Sequence, residues 1–439
     1  MAARFLMALG IVCALAAAGR AADALKPGDT LGPDNWQKAE KLLPPEILAH
    51  YKAGEYVNPI NDWPENVFTW PTDFAAASKA NEGTFTLGAH GEVVEKTTGK
   101  QPEWILGFPF PTIDPKDPTA GAKILWNHLY RTWYFGNGYN ESQVNWVKPQ
   151  GLERRIDVLA LFNYFDGLPE RERPKENPHN FQAQELTVVR SPADVNGTAA
   201  LTWRYRNPEK RDASWTFVPA LRRVRAISPA NRSDGFLGSD MCQDDGPFFT
   251  GKPEDFTWKL TGEVQQLRLV DPLNLEGKSG NEWLPSGGWR AVWPDMPYIG
   301  YMDPNWKGIA WAPRTAGLAE RRFYVVEGVP KDRYYLFGKL ELYIDAVSFQ
   351  GAWNRKFDWK GELVNSFQVM AWNPHELKRP DGTSDFVQGS NQAFQTVEAV
   401  KLRRATVAGI KSSPKANFDG RITFRQGEFD LDTLSRYGK

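Results

Sequence analysis

A chain of 439 residues has room for one large domain or two of ordinary size, and 41 % hydrophobic with 24 % charged residues argues against both a disordered chain and a membrane bundle. Lysine plus arginine equals aspartate plus glutamate at 53 each, so no overall field draws the chain to nucleic acid or an anionic bilayer, and only local patches remain to be argued. The 18 Trp, 25 Phe and 14 Tyr supply large apolar faces with a polar handle, suited to strands and to a groove for lipid or sugar.

Arg4, the apolar run Phe5–Ala18 and the small residues about Gly19-Arg20-Ala21 predict a cleaved secretory signal over 1–21, with Ala22-Asp23-Ala24 as a second cleavage candidate. Nothing later approaches the ~20 continuous apolar residues of a membrane helix, so the mature chain, 22–439, is expected to be soluble. If Cys13 leaves with the signal, Cys242 is the sole thiol, which excludes an intramolecular disulfide. With no evident His partner, it reads as a small buried side chain.

After the signal, Asp34-Asn35-Trp36-Gln37 has the form of a helix start, with Asp34 as cap and Gln37 in the capping-box position. Pro44-Pro45 ends that helix, and Ile47–Lys52 reads as a second short one stopped at Gly54. The Pro, Asn and Trp between Tyr56 and Asp73 predict an ordered irregular segment. Thr84–Thr97 reads as a hairpin, and the prolines of Gly107-Phe108-Pro109-Phe110-Pro111 favour an extended conformation outside any central strand. Ala120–Tyr134, with Leu125, Leu129 and Trp133 spaced by four, reads as a helix with an apolar stripe.

From Leu152 onward the period is two. Leu201–Arg206 alternates strictly, and looser alternation recurs at Arg155–Phe165, Glu185–Arg190, Trp215–Arg225, Arg322–Glu327, Tyr334–Asp345, Leu363–Met370 and Thr396–Thr406. Many strands on short links, with turn signals such as Asn196-Gly197 and Lys360-Gly361, predict a mainly β (α+β) fold. An antiparallel meander forming a large curved sheet or an incomplete barrel follows, against a doubly wound parallel sheet. Asp271–Arg321, rich in Gly, Pro and Trp, reads as a long functional loop or a lid. Phe429–Leu434 is expected to be a short helical turn against the body.

The stretch from Trp215 to Gly262 carries the most chemistry. Trp215, Phe217 and Leu221 would share one face of a strand, and together with Trp203, Tyr205, Leu340 and Leu342 they are the candidates for lining an apolar cavity. Arg222, Arg223 and Arg225 precede a loop carrying Asp240, Asp244 and Asp245. The arginines fit recognition of an anionic head group, or internal pairing with Asp244 and Asp245 as a structural latch; the latch is the preferred reading. The Asp244/Asp245 loop would also suit an envelope glycan or ester hydrolase, which needs two carboxylates in one cleft.

Other chemistry has little support. The aspartates lack the alternation and terminal Glu of an EF-hand loop. None of the 5 histidines lies within a helical turn of another or beside Cys242, so no transition-metal site is expected. A Gly-x-Ser-x-Gly elbow is missing, and Gly277-Lys278-Ser279 has Pro272 where a P-loop has its first glycine. No catalytic residue, metal or cofactor is assigned.

Trp215-Thr216-Phe217-Val218-Pro219, Arg222-Arg223-Val224-Arg225, Asp244-Asp245, Phe256-Thr257-Trp258-Lys259-Leu260 and Gly107-Phe108-Pro109-Phe110-Pro111 together resemble the proteobacterial envelope proteins grouped as domain of unknown function 1329. Tyr343-Ile344-Asp345 and Lys360-Gly361-Glu362-Leu363 fit the later part of the pattern, so the resemblance covers nearly the whole mature chain. Before Pro59 the chain departs from the commoner form, at Lys26-Pro27-Gly28-Asp29 and Leu43-Pro44-Pro45-Glu46. The resemblance implies a fold similar to outer-membrane lipoprotein-sorting proteins of the LolA/LolB type, an open antiparallel half-barrel over helices around an apolar cavity. It also implies a link to large resistance-nodulation-division type exporters and outer-membrane proteins.

The expected function is therefore a non-enzymatic carrier in the periplasm, there or associated with the outer membrane, for a lipid or other apolar small molecule, working with an inner-membrane exporter and an outer-membrane protein. The alternatives are the hydrolase and a structural accessory of an outer-membrane complex. Neither nucleic acid nor a membrane-spanning state of the mature chain is expected.

Overall fold

Two meanders placed edge to edge make the body of the protein. The computed structural model describes residues 24–65, 70–372, 375–378, 382, 384–387, 394–409, 418–425 and 427–437. The predicted signal at 1–21 lies outside the described residues. The first meander is β1 (Gly138–Lys148), β2 (Gly151–Tyr164), β3 (Phe181–Ser191), β4 (Ala199–Tyr205), β5 (Ala213–Val218) and β6 (Arg223–Ile227). The second is β7 (Phe256–Val270), β8 (Gly317–Pro330), β9 (Lys339–Asp345), β10 (Gly351–Phe357), β11 (Leu363–Val369), β12 (Phe394–Ala399) and β13 (Arg404–Gly409). They join where β13 pairs antiparallel with β1, Ala405 opposite Val147. The spatial order is β6-β5-β4-β3-β2-β1-β13-β12-β11-β10-β9-β8-β7. This large antiparallel sheet is not closed. Its two edges, β6 and β7, are consecutive in sequence, and the 228–255 connection runs from one to the other.

Alternation along the strands sends apolar side chains to both faces. On one face Val144, Trp146, Ile156, Val158, Tyr324, Val326, Leu340, Leu342 and Phe367 pack against α3 (Ala120–Tyr134) and against Phe74 of α2 (Thr72–Ala80). Helix α3 approaches β7 closely because residue 121 is glycine: a Cβ there would lie 2.7 Å from the carbonyl carbon of Lys259. On the other face Phe323, Val325, Tyr343, Trp353 and Val407 are covered by the N-terminal segment with α1 (Pro45–Lys52) and by Tyr298, Ile299, Ile309 and Trp311. The stretch expected as a functional loop or lid is in this part a covering layer, since Tyr298 and Trp311 are fully buried in that second core. A C-terminal helix, α4 (Leu431–Tyr437), packs by Leu434 and Phe429 against β4 and β5.

Two expected strands are in fact hairpins. Trp215–Arg225 breaks at Pro219, where the ring ends strand pairing and Arg222 takes left-handed dihedrals (φ 48°, ψ 34°). Thr396–Thr406 breaks in the same way, with Arg403 at φ 47°, ψ 56° after Val400-Lys401-Leu402. The proposed start at Asp34 is a short 3-10 turn over Trp36–Ala39, flanked by Asn35, and the true helix begins at Pro45. Helix α2 falls beside a segment that the sequence marks only as irregular.

Candidate ligand-binding site

The 228–255 connection fills the space between α3 and the sheet. Its Phe248 and Phe249 are buried. The Phe248 ring lies 5.2 Å from His128 of α3 and 6.2 Å from Phe367 of β11, and rests where a Cβ on Gly351 would overlap it. Phe249 lies 5.5 Å from Phe256 and 5.3 Å from Trp258 at the start of β7. Phe248 itself sits at φ 68°, a region that bulky residues enter only when packing holds them there, at about 1–3 kcal/mol of strain. The aromatic interior between α3 and the sheet is thus filled by the chain's own side chains.

Buried charges pin this connection to both meanders. Asp244 receives Arg232 Nη2 at 2.6 Å and the Tyr335 hydroxyl at 2.9 Å, and Arg232 Nη1 also reaches Asp212 Oδ2 at 3.1 Å. Asp212 is held by Arg204 of β4 through Nε and Nη2, and although burial opposes ionisation, the two guanidiniums keep its carboxyl below the usual range. Asp245 pairs with Lys356 of β10 and accepts the Cys242 backbone N–H at 2.8 Å. Asp240 pairs with Arg404 of β13, and Lys252 donates to the carbonyls of Asn207 and Lys210. Glu254, buried with one carboxylate oxygen lacking a hydrogen bond, is pushed up to about 7 by burial.

Asp244 and Asp245 are thus paired with cations other than the three arginines expected from the sequence. Arg222 in the hairpin turn and Arg223 and Arg225 on the edge strand β6 are exposed, while Arg232 and Lys356 engage Asp244 and Asp245. The hairpin at Pro219 directs the three arginines outward, which alternation along one uninterrupted strand did not foresee. Both carboxylates are neutralised by buried cations, and Asp244 borders a space of only about 20 Å³, so the arrangement gives no support to the hydrolase reading.

The seven cavity candidates do not share one wall. Leu340 and Leu342 belong to the core against α3. Trp203, Trp215 and Phe217 pack beneath α4, Trp203 Nε1 donating to the Phe429 carbonyl at 2.8 Å. Tyr205 is buried against Phe181, their rings 5.4 Å apart, and Leu221 is exposed at the hairpin tip. A cleft of about 540 Å³ lies elsewhere, between the C-terminal segment and β2 and β3, lined among others by Asn163, Phe165, Gln184, Arg421, Phe424 and Phe429. None of the seven lines it.

Two further buried clusters escaped the sequence. Arg131 of α3, Arg268 of β7 and Arg321 of β8 gather about Asp345, whose charge acts on all three. Burial, together with the neighbouring guanidinium, lowers Arg131 to about 9; burial chiefly lowers Arg268 to about 10. On the opposite face, His50 of α1 stands 2.7 Å from both Glu55 and Glu398. Burial alone would lower its pKa, but the hydrogen bonds and charges of Glu398 and Glu55 outweigh that and raise it. Cluster membership spread over more than 200 residues leaves no spacing signal to read.

The fold is mainly β, one large open antiparallel sheet wrapped over a helix, with an aromatic interior. The chain belongs to the family described as protein of unknown function DUF1329, which matches residues 30–434. Its structure is similar to an outer membrane lipoprotein-sorting protein domain from Vibrio parahaemolyticus (14 % identity, 73 % of this chain and 100 % of that one, TM-score 0.45). It is also similar to a DUF1329 family protein from Desulfovibrio piger (17 %, 73 % and 99 %, TM-score 0.45) and to a LolA superfamily protein from Nitrosomonas europaea (12 %, 71 % and 98 %, TM-score 0.40). No curated protein matches. No helix among the described residues is long and apolar enough to cross a membrane.

Proposed function

We propose that the protein, as one unit over 22–439 after loss of a signal at 1–21, is a non-enzymatic periplasmic carrier for a lipid or other hydrophobic compound. In this reading it works between an exporter and an outer-membrane protein. The observation that carries the reading is the placement of Phe248 and Phe249: the loop joining the two open edges of the sheet puts two buried aromatic rings into the core, Phe248 beside His128 of α3 and Phe249 beside Phe256 and Trp258 of β7. An apolar ligand would take the place of those rings, removing comparable area from water at about 25 cal/mol per Å². The connection acts as a stand-in for cargo, held by ion pairs and strained at Phe248.

Purification without detergent, followed by lipid extraction and mass spectrometry, tests this. A bound apolar compound at near-stoichiometric level is expected. A chain that carries none, and that binds no apolar fluorescent probe when titrated, would rule the reading out.

A further inference from the structure

Three turns at one end of the sheet carry an interaction surface that the interior does not use. Because neighbouring strands run antiparallel, the β8–β9, β10–β11 and β12–β13 turns all fall at the same end. They are also linked to one another: Trp359 Nε1 donates to the Tyr335 carbonyl at 2.9 Å, the Arg333 guanidinium lies 5.4 Å from the Trp359 ring, and Lys401 pairs with Glu362. Successive turns are two strands apart, so at about 4.8 Å per strand the row spans about 20 Å.

The tips of this row are apolar. Tyr334 is 88 % exposed, Leu402 65 %, Leu336 53 % and Trp359 42 %, and the first three are the most exposed large hydrophobic side chains among the described residues. Around them, residues 331–338, 358–362 and 399–404 hold Lys331, Arg333, Lys360, Lys401, Arg403 and Arg404 against Asp332, Asp358 and Glu362. Within these segments bases outnumber acids two to one, in a chain whose charges balance overall, although Arg403 and Arg404 are paired with Glu55 and Asp240 from outside them. The pairs Lys401–Glu362 and Arg403–Glu55 have largely exposed cations, and ion pairs of that kind are readily exchanged for other anions. Single Leu, Tyr and Trp tips flanked by Lys and Arg suit the head-group layer of a membrane, where the ring or leucine enters the acyl boundary and the cations meet phosphate. The core of a protein–protein interface is an apolar patch depleted of charge, whereas these tips are interleaved with Lys and Arg.

We propose that this row is a docking edge for the surface of an anionic bilayer. The transfer of cargo at that surface rests on the carrier reading; the docking itself does not. One turn belongs to both devices, because Tyr335 holds Asp244 and the Leu336 backbone N–H donates to Ser233 Oγ at 2.9 Å. Contact of Tyr334 and Leu336 with lipid therefore bears directly on the anchorage of the 228–255 connection.

The test is flotation of the purified full chain with vesicles of phosphatidylcholine, with and without phosphatidylglycerol. Binding is expected only with the anionic lipid, weakening as salt rises, and falling roughly tenfold in Tyr334→Ser/Leu402→Ser. Both side chains are exposed, so thermal unfolding of the double variant serves as the control for folding and should match the wild type. Absence of binding at every composition, binding that the double variant retains in full, or capture of a soluble protein by these tips without vesicle binding would each overturn the docking edge. Probe titration without vesicles reads the carrier function separately: probe binding without vesicle binding removes the docking edge alone, and the reverse removes the carrier alone.

Discussion

Asp345 Oδ2 lies 2.9 Å from Nε of Arg321, and its Oδ1 lies 3.2 Å from Nη2 of the same guanidinium, with both residues almost wholly buried. The same carboxylate stands 3.6 Å from Arg268 Nη1 and accepts the Val347 and Ser348 backbone N–H groups. Removing its charge leaves buried guanidiniums facing one another. Asp345→Asn is expected to lower stability by about 3–5 kcal/mol, the range for breaking a buried pair by removal of one partner. Arg268→Met should cost less, because it relieves repulsion as well as losing a bond; urea unfolding of both variants measures the order.

The corrected latch makes a contrast between two sites close in sequence. Asp245→Ala strands the buried Lys356 ammonium and should also lose about 3–5 kcal/mol, whereas Arg223→Ala, on the exposed edge strand, should change stability by less than about 0.5 kcal/mol. Comparable losses in the two variants, by chemical denaturation, would return Arg223 to the latch.

Gly351→Ala asks whether the aromatic plug occupies the ligand space. The added methyl would overlap the Phe248 ring, so the loop must shift, at about 1–3 kcal/mol. Titration with an apolar fluorescent probe is expected to show several-fold tighter binding than the wild type. Unchanged affinity alongside the lowered stability would place the ligand elsewhere.

Glu254 supplies a pH dependence. Its folded pKa is raised by burial from 4.5 to about 7, so the protonated form is favoured by folding. The associated stability is complete below 4.5 and is lost as pH rises through about 7, amounting to about 2–3 kcal/mol over that window. Glu254→Gln, which does not titrate, should flatten this part of the stability profile and be the more stable protein above about pH 7. A profile with the same slope in both proteins would contradict the assignment.

His50 acts at the opposite face with the same sign. Its raised pKa means that the protonated ring between Glu55 and Glu398 stabilises the fold fully below 6.5, and that this contribution disappears as pH rises through the elevated value. Hydrogen exchange in 45–58 should therefore quicken above that value after correction for the intrinsic rate, and His50→Gln should remove the pH dependence.

Much of the architecture is legible in the chain because it is local. The four-residue spacing of Leu125, Leu129 and Trp133 gives α3 over Ala120–Tyr134, and strict alternation at 201–206 marks β4. The hairpins at Pro219 and Val400 were less legible: Leu-Arg-Arg follows each, and a left-handed arginine has none of the usual glycine or asparagine signal of a turn. Function was harder still. Lys356 sits in a strand whose polar positions suggest an outward face, yet its partner Asp245 comes from a connection more than 100 residues earlier. Pairing of that kind depends on the path the connection takes between the two sheet edges, which no local period records.

The junction of β1 with β13 sets the order in which the molecule is completed. Val147 waits for Ala405, and so the strand at the heart of the finished sheet is the last to acquire its second neighbour as the chain emerges from N- to C-terminus. Until then β1 is paired on one side only, with β2, and its other side is open to pairing with other chains. A protein built on this plan keeps an open strand edge at its centre until the segment more than 250 residues downstream has come into place.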